Sequence, residues 1–173
     1  MYQRILVPVD GSPTSQRGLN EAIELAKITK GCLRMLHVID DLSFSLALDA
    51  YSGHPGEWMK QLHEGGRRVL DAAKATAEAA GVEADTLLCD RVTGPVYEQV
   101  TTEANNWHAD LIVLGTHGRR GIDRFVMGSG AENILRHARI PVLLVRASEA
   151  ATKAQSESGS VKVHLPSAAL SLE

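Results

Sequence analysis

The chain has 173 residues, of which 44% are hydrophobic and 23% are charged, a composition typical of one globular domain. Its formal net charge of −3 lacks the basic surplus that a nucleic-acid-binding protein would show. No apolar run approaches the ~20 residues that a membrane-spanning helix needs. The N-terminal sequence has no signal-peptide pattern, and the two cysteines are too few for a disulfide framework, so we expect a cytoplasmic protein.

Nearly continuous apolar runs mark the predicted strands. In chain order they cover residues 5–9, 33–39, 85–89, 111–114 and 142–145, and the third is the weakest. Continuous rather than alternating apolarity is typical of strands covered on both faces, as in a parallel sheet. Cys32 and Cys89 fall at or in these strands, and we expect both to be small buried side chains.

Apolar residues at helical spacing occupy the intervals between the predicted strands. The four helices begin after Ser12-Pro13, near Trp58, at Pro95 and at Ser129. Ser12 and Pro13 are residue types favoured at a helix N-cap and first turn, and Gly81 ends the second helix. The alternation predicts an α/β fold: a doubly wound parallel sheet with helices on both faces and right-handed crossovers.

The sequence changes character after Arg146. Twelve of the last 27 residues are Ala or Ser, and Gly159 and Pro166 interrupt them. We therefore expect a folded domain over 1–146 and a flexible tail over 147–173. Within the tail, residues 161–165 alternate like a short strand.

Two strand ends carry the residues expected to form the functional site. In an open parallel sheet, ligands bind beyond the carboxyl ends of the strands, at the switch point of the crossovers. The first strand ends at Asp10, whose carboxylate can accept two hydrogen bonds from ribose hydroxyls. The structural alternative is an aspartate that organises the N-cap region of the first helix.

The second strand end is the glycine-rich stretch Gly115–Gly130, with five glycines in 16 residues. Such a loop can point several backbone N–H groups into one concavity, which favours an anion. It enters a helix at Ser129, where Glu132 completes a capping-box pattern and the helix N-terminus favours a phosphate. Arg119, Arg120 and Arg124 add positive charge. The alternative is a glycine-rich connector with solvated arginines.

Other catalytic and binding motifs are absent from the sequence. It contains neither a Walker-type P-loop nor the dinucleotide fingerprint after the first strand. Met127 stands where a nucleophile elbow requires glycine, so we expect Ser129 to be a cap and phosphate ligand rather than a nucleophile. The seven histidines fit no zinc template, and we expect neither a metal site made only of protein ligands nor a catalytic residue.

The pattern Gly115-x-x-Gly118, nine residues, Gly128-Ser129 resembles the nucleotide motif of the universal stress protein family. The resemblance extends over residues 1–146, because 5–12, 36–39 and 141–145 also match family segments in order. It implies a Rossmann-like fold of the adenine nucleotide α-hydrolase type, with strand order 3-2-1-4-5.

The resemblance also implies a ligand, ATP, ADP or AMP, held between the first and fourth strands. Asp10 matches the ribose-binding residue, and Val9 and Val38 match positions whose backbone reads the adenine. Mg²⁺ would be held mainly by the phosphates. The full nucleotide-binding set expected from the resemblance is Pro8, Val9, Asp10, Val38, Gly115, Thr116, His117, Gly118, Arg119, Gly128, Ser129 and Gly130.

The implied function is a nucleotide-dependent stress-response regulator that acts on an unidentified protein. Hydrolysis would be slow or absent, since His117 is the only base in view. Members of the family commonly dimerise through antiparallel pairing of their fifth strands, here Val142–Val145. Two alternatives remain: a dimerising scaffold without nucleotide, and an ATP-using enzyme of the wider superfamily. Gly130 departs from the valine that is common there, and the tail extends beyond the usual domain end.

Overall fold

The structure, a computed structural model, describes residues 1–39, 55–90, 94–116 and 129–146. Strands and helices alternate in the order β1 Arg4–Pro8, α1 Pro13–Thr29, β2 Cys32–Val38, α2 Pro55–Ala79, β3 Ala84–Cys89, α3 Val96–Asn106, β4 Leu111–Gly115, α4 Ser129–His137 and β5 Val142–Val145. The strands form one parallel sheet in the order β3-β2-β1-β4-β5. The predicted fold class and strand order are confirmed.

The apolar side chains form two layers, one on each face of the sheet. Alternate residues of a strand point to opposite faces, and β1 divides its side chains in this way. Ile5 and Val7 pack with the buried faces of α1 and α2. Leu6 packs with α3 and α4 on the opposite face, around Val100 and Ile134. Both faces are therefore covered, which explains the continuous apolarity of the central strands.

The helix ends follow local capping chemistry. Ser12 is the N-cap of α1, and its Oγ accepts a hydrogen bond from the backbone N–H of Ser15 at 3.1 Å, with Pro13 as the first helical residue. Lys30, in the left-handed conformation at φ 54°, ends α1. Gly81 follows α2 at φ 76°, a conformation that glycine adopts without strain.

The two cysteines differ from the expected buried side chains. Cys32 is the first residue of β2 and Cys89 the last of β3, and both are only half-buried. The Cys89 thiol donates to Oε1 of Gln99 at 2.7 Å. Burial, followed by the negative charge of Glu83, raises the pKa of the Cys32 thiol. Strand ends and edge strands are less covered than the sheet centre, which explains the difference.

β1 forms a long pairing with β2 on one side and a short pairing with β4 on the other. Five residue pairs join β1 to β2, but only Ile5–Leu111 and Leu6–Ile112 join β1 to β4. The Asp110 carboxylate closes the amino-terminal end of this second pair, accepting from the backbone N–H groups of Gln3 at 2.7 Å and Arg4 at 3.1 Å. Past Leu6 and Ile112 the register has no further pair between β1 and β4, whereas β1 goes on pairing with β2 as far as Pro8.

Some expectations fall outside this description. The predicted tail over 147–173, with its short strand at 161–165, lies outside the described residues. Within the described ranges, no helix has both the length and the apolarity needed to cross a membrane.

Candidate functional site

The carboxyl ends of β1 and β4 meet at the switch point of the sheet. From β1 the chain crosses to β2 on one side, whereas β4 connects to β5 on the other. The predicted residues Pro8, Val9, Asp10, Val38, Gly115 and Thr116 all lie at this edge, because parallel strands end on the same side. The edge therefore brings together six positions from three separate strands.

A tight turn joins β1 to α1. Oδ1 of Asp10 accepts a hydrogen bond from the backbone N–H of Ser12 at 2.9 Å, and Gly11 adopts φ 78°. A Cβ at Gly11 would lie 3.1 Å from Cγ2 of Val69 on α2. The Asp10 carboxylate thus organises the N-cap region, the structural role left open by the sequence. Ribose recognition by Asp10 stays a prediction.

The backbone of β2 extends past its pairing with β1. The last β1–β2 contact is the hydrogen bond from Val9 N–H to the Leu36 carbonyl at 2.8 Å. Peptide groups of alternate residues point the same way along a strand, so the N–H and C=O of Val38 also face β1. Ile39 points oppositely, donating to Cys89 O at 2.9 Å. Val38 therefore presents a donor and an acceptor to the space beyond Val9.

The end of β4 is pressed against the start of α1. A Cβ at Gly115 would lie 2.6 Å from the Thr14 carbonyl oxygen, and one at Gly18 would lie 3.2 Å from the Gly115 nitrogen. Thr116, which is buried, donates its backbone N–H to Val145 O at 2.9 Å. Gly115 thus has a packing reason to be glycine that is independent of any phosphate.

The glycine-rich stretch itself is only partly described. His117, Gly118, Arg119 and Gly128 lie outside the described residues, as do Arg120 and Arg124. Ser129 and Gly130 are exposed in the first turn of α4.

The predicted capping box at Ser129 stays a prediction. The described part of α4 begins at Ser129, and position 128 lies outside the described residues. Oε1 of Glu132 accepts from Nη2 of Arg136 at 2.8 Å, so an ion pair along the helix already engages this carboxylate.

A pocket of about 360 Å³ opens beside the turn after β1, between α1 and α2. Its floor is apolar, and Ser15, Gln16 and Arg68 supply polar groups. The contribution of α2 to this edge was not predicted, because nothing in the sequence links Gly65 or Arg68 to the end of β1.

His37 is a further residue at this edge that the sequence did not identify. Its side chain is 5% exposed, and Nδ1 lies 2.7 Å from the Val9 carbonyl oxygen. The available signal was a polar ring between the apolar residues Leu36 and Val38 of a predicted strand. Histidine in such a strand is uncommon unless it has a hydrogen-bonding partner.

Within the described residues, no group of three or more His, Cys, Asp or Glu side chains is close enough to hold a metal ion.

Comparison with known proteins places these features in a family context. Residues 1–146 match the model of the universal stress protein family. A universal stress protein of Methanocaldococcus jannaschii is 32% identical over 151 residues, which cover 84% of this chain and 83% of that protein. A crystal structure of a family member from Burkholderia pseudomallei is 34% identical, with a TM-score of 0.65, and covers 84% of this chain and 97% of its own.

Two more distant structural neighbours were solved as nucleotide complexes. A universal stress protein of Archaeoglobus fulgidus in complex with dAMP is 23% identical, with a TM-score of 0.62, over 83% of this chain and 98% of its own. A universal stress protein in complex with cAMP is 24% identical, with a TM-score of 0.60, over 85% of this chain and 98% of its own. At this identity the likeness to both concerns the fold.

Proposed function

The chain belongs to the universal stress protein family, and from that premise we propose that it binds an adenine nucleotide in the crevice between β1 and β4. The ligand is ATP, or its products ADP and AMP, and the bound state regulates a protein partner in the stress response. Hydrolysis is slow or absent. Neighbours with the same fold that hold dAMP and cAMP support the choice of an adenine nucleotide.

The observation that carries this proposal is the backbone edge of Val38. Its N–H and C=O face the space beyond Val9, where β1 has stopped pairing with β2. A donor beside an acceptor complements adenine, whose N1 accepts and whose N6 amino group donates. The corresponding edge of guanine has the opposite order, so the same backbone edge discriminates against it.

The ribose and phosphates extend from this point toward α4. Asp10 binds the ribose hydroxyls through its carboxylate. The phosphates lie against the positions of the glycine motif, with the N-terminus of α4 supplying N–H groups and positive potential. Beyond Gly115 and Thr116, the proposed set comprises His117, Gly118, Arg119, Gly128, Ser129 and Gly130.

Magnesium fits the same scheme. Phosphate oxygens and water would form most of its shell, because Mg²⁺ prefers oxygen ligands and keeps several of its waters. When bound, the ion neutralises phosphate charge.

Calorimetric titration with Mg-ATP tests the proposal. Asp10→Ala removes a charged hydrogen-bond acceptor worth about 1.5–3 kcal/mol, so ATP affinity should fall roughly 10- to 100-fold. Asp10→Asn keeps an oxygen that can accept from the Ser12 N–H, so it tests the ribose contact while preserving the turn. Asp71→Ala, which removes an exposed carboxylate from α2, is the charge-matched control. Unchanged affinity in Asp10→Ala would remove this residue from the site.

Gly118→Val provides an independent test of the phosphate assignment. A β-branched residue avoids the backbone conformations open to glycine, so ATP binding should be lost. Normal ATP binding by this variant would contradict the phosphate assignment.

We also propose a homodimer through β5. This strand forms one edge of the described sheet, and Leu143 on it is 37% exposed, which is an aggregation liability unless it is covered. Light scattering should give the mass of a dimer for the wild type. Leu143→Lys should shift the mass to that of a monomer, and a dimer of unchanged stability would exclude β5 as the interface.

A further inference from the structure

The hydrogen-bond ladder between β1 and β2 is interrupted at one identifiable step. Register pairs Pro8 with Leu36, so the next pair along would be Val9 with His37. The ladder reaches Val9 N–H, which donates to Leu36 O at 2.8 Å. In a parallel ladder the following bond would run from Val38 N–H to Val9 O. That bond is absent between these two described residues, and the Val9 carbonyl lies 2.7 Å from Nδ1 of His37.

The His37 ring is fixed in place by its surroundings. It is 5% exposed and lies on the face of the sheet that α2 covers. A Cβ at Gly66 of α2 would lie 2.8 Å from Cδ2 of the ring and 2.6 Å from Cδ1 of Leu88. The helix backbone therefore approaches the ring closely enough to require glycine, which limits the movement of the ring on the α2 side.

The direction of the His37 contact explains the interruption. A carbonyl oxygen has two lone pairs, so occupation by one donor does not by itself prevent a second bond. The ring, however, lies above the sheet on the α2 side, whereas a ladder partner lies in its plane. A short hydrogen bond to Nδ1 favours a Val9 carbonyl directed toward the ring rather than toward the Val38 N–H.

We infer that His37 is a positioning residue for base recognition: by holding the Val9 carbonyl toward α2, it keeps the Val38 N–H available to the ligand. This inference rests on the proposed nucleotide site. It assigns the adenine preference to a side chain that does not touch the nucleotide. Nδ1 carries the proton in this arrangement, because a carbonyl oxygen can only accept.

Amide hydrogen exchange in the ligand-free protein tests the ladder directly. In the wild type, Val38 should exchange at least tenfold faster than Ile39, whose N–H is bonded to Cys89 O. His37→Phe fills the ring volume without a donor, so the ladder should close and Val38 exchange should slow toward that of Ile39. His37→Asn places an amide N–H at the position of Nδ1 and should restore fast exchange. Equal Val38 exchange in wild type and His37→Phe would overturn the inference, whether or not nucleotide binds.

Titrations with Mg-ATP and Mg-GTP supply the second readout. His37→Phe should bind ATP about tenfold more weakly, with a smaller ratio of GTP to ATP dissociation constants, and His37→Asn should recover both. Met35→Val, on the same face of β2 and fully buried, is the control for lost packing and should keep the ratio. An unchanged ratio in His37→Phe would refute the inference. A wild-type protein that binds neither nucleotide would instead refute the proposed function. The exchange measurement would still show whether His37 interrupts the hydrogen-bond ladder between β1 and β2.

Discussion

Gly115→Ala should destabilise the fold in the absence of any ligand. Gly115 ends β4 at the predicted phosphate site, yet its surroundings are the first turn of α1. An added Cβ would lie 2.6 Å from the Thr14 carbonyl oxygen and 2.7 Å from both its carbonyl carbon and its Cγ2. Two of the three atoms belong to the backbone, so a change of rotamer cannot relieve the overlap.

The size of the effect follows from these distances. Ordinary contact begins near 3.4 Å, so the start of α1 must move by about 0.8 Å relative to β4. Overpacking of this kind costs about 1–3 kcal/mol, and backbone contacts place the substitution near the upper limit. For a domain of this size, about 3 kcal/mol lowers the melting temperature by roughly 6–12 °C.

Thermal unfolding without nucleotide measures this directly. Gly130→Ala is the matched control, because a Cβ there meets no atom of the described residues within 4 Å and the residue lies in α4. Its melting temperature should be unchanged or slightly raised, since alanine favours helix. A Gly115→Ala protein that melts within 1 °C of wild type would refute the packing explanation and leave only a ligand-binding reason for this glycine.

Three further outcomes are expected. Ser12→Ala removes the N-cap of α1 and should lower the unfolding free energy by about 1 kcal/mol, as read from urea denaturation, with Ser12→Asp recovering most of it. Nη1 of Arg34 donates to Oε1 of Glu103 at 2.8 Å, so Arg34→Met should lower the unfolding free energy by about 1–3 kcal/mol. In a double-mutant cycle with Glu103→Gln the two losses should not add, and strict additivity would show that the pair is uncoupled. Burial raises the pKa of Cys32, so iodoacetamide at pH 8 should modify it more slowly in the folded protein than in urea; equal rates would contradict this.

The sequence carried enough information for the architecture. The continuous runs at Ile5–Val9 and Leu111–Leu114 reflect strands buried on both faces, and their alternation with helical spacing leaves few topologies. Residues 85–89 gave a weak signal because β3 is an edge strand whose side chains are half-exposed. Capping at Ser12 was also predictable, since it depends on residues adjacent in the chain.

Contacts between distant segments were not predictable. Gly115 was assigned to phosphate binding because its neighbours form a glycine motif, whereas Thr14 presses on it from 101 positions earlier in the chain. His37 gave no indication of its contact with Val9, which depends on where β1 stops pairing. Ser129 lies at a helix boundary, the least certain feature of any sequence pattern, and its capping role stays a prediction. The family resemblance predicted candidate ligand positions, but the packing contacts of these residues could not be predicted from the sequence alone.

The short pairing of β1 with β4 has a consequence for the kinetics of ligand entry. Two residue pairs and the Asp110 carboxylate join these strands at one end, and no residue pair follows toward their carboxyl ends. A ligand bound past Leu6 and Ile112 would break no residue pair of the β1–β4 ladder. Its association should therefore not wait for strand separation, and should proceed near the rate set by diffusion and orientation, with a weak dependence on temperature.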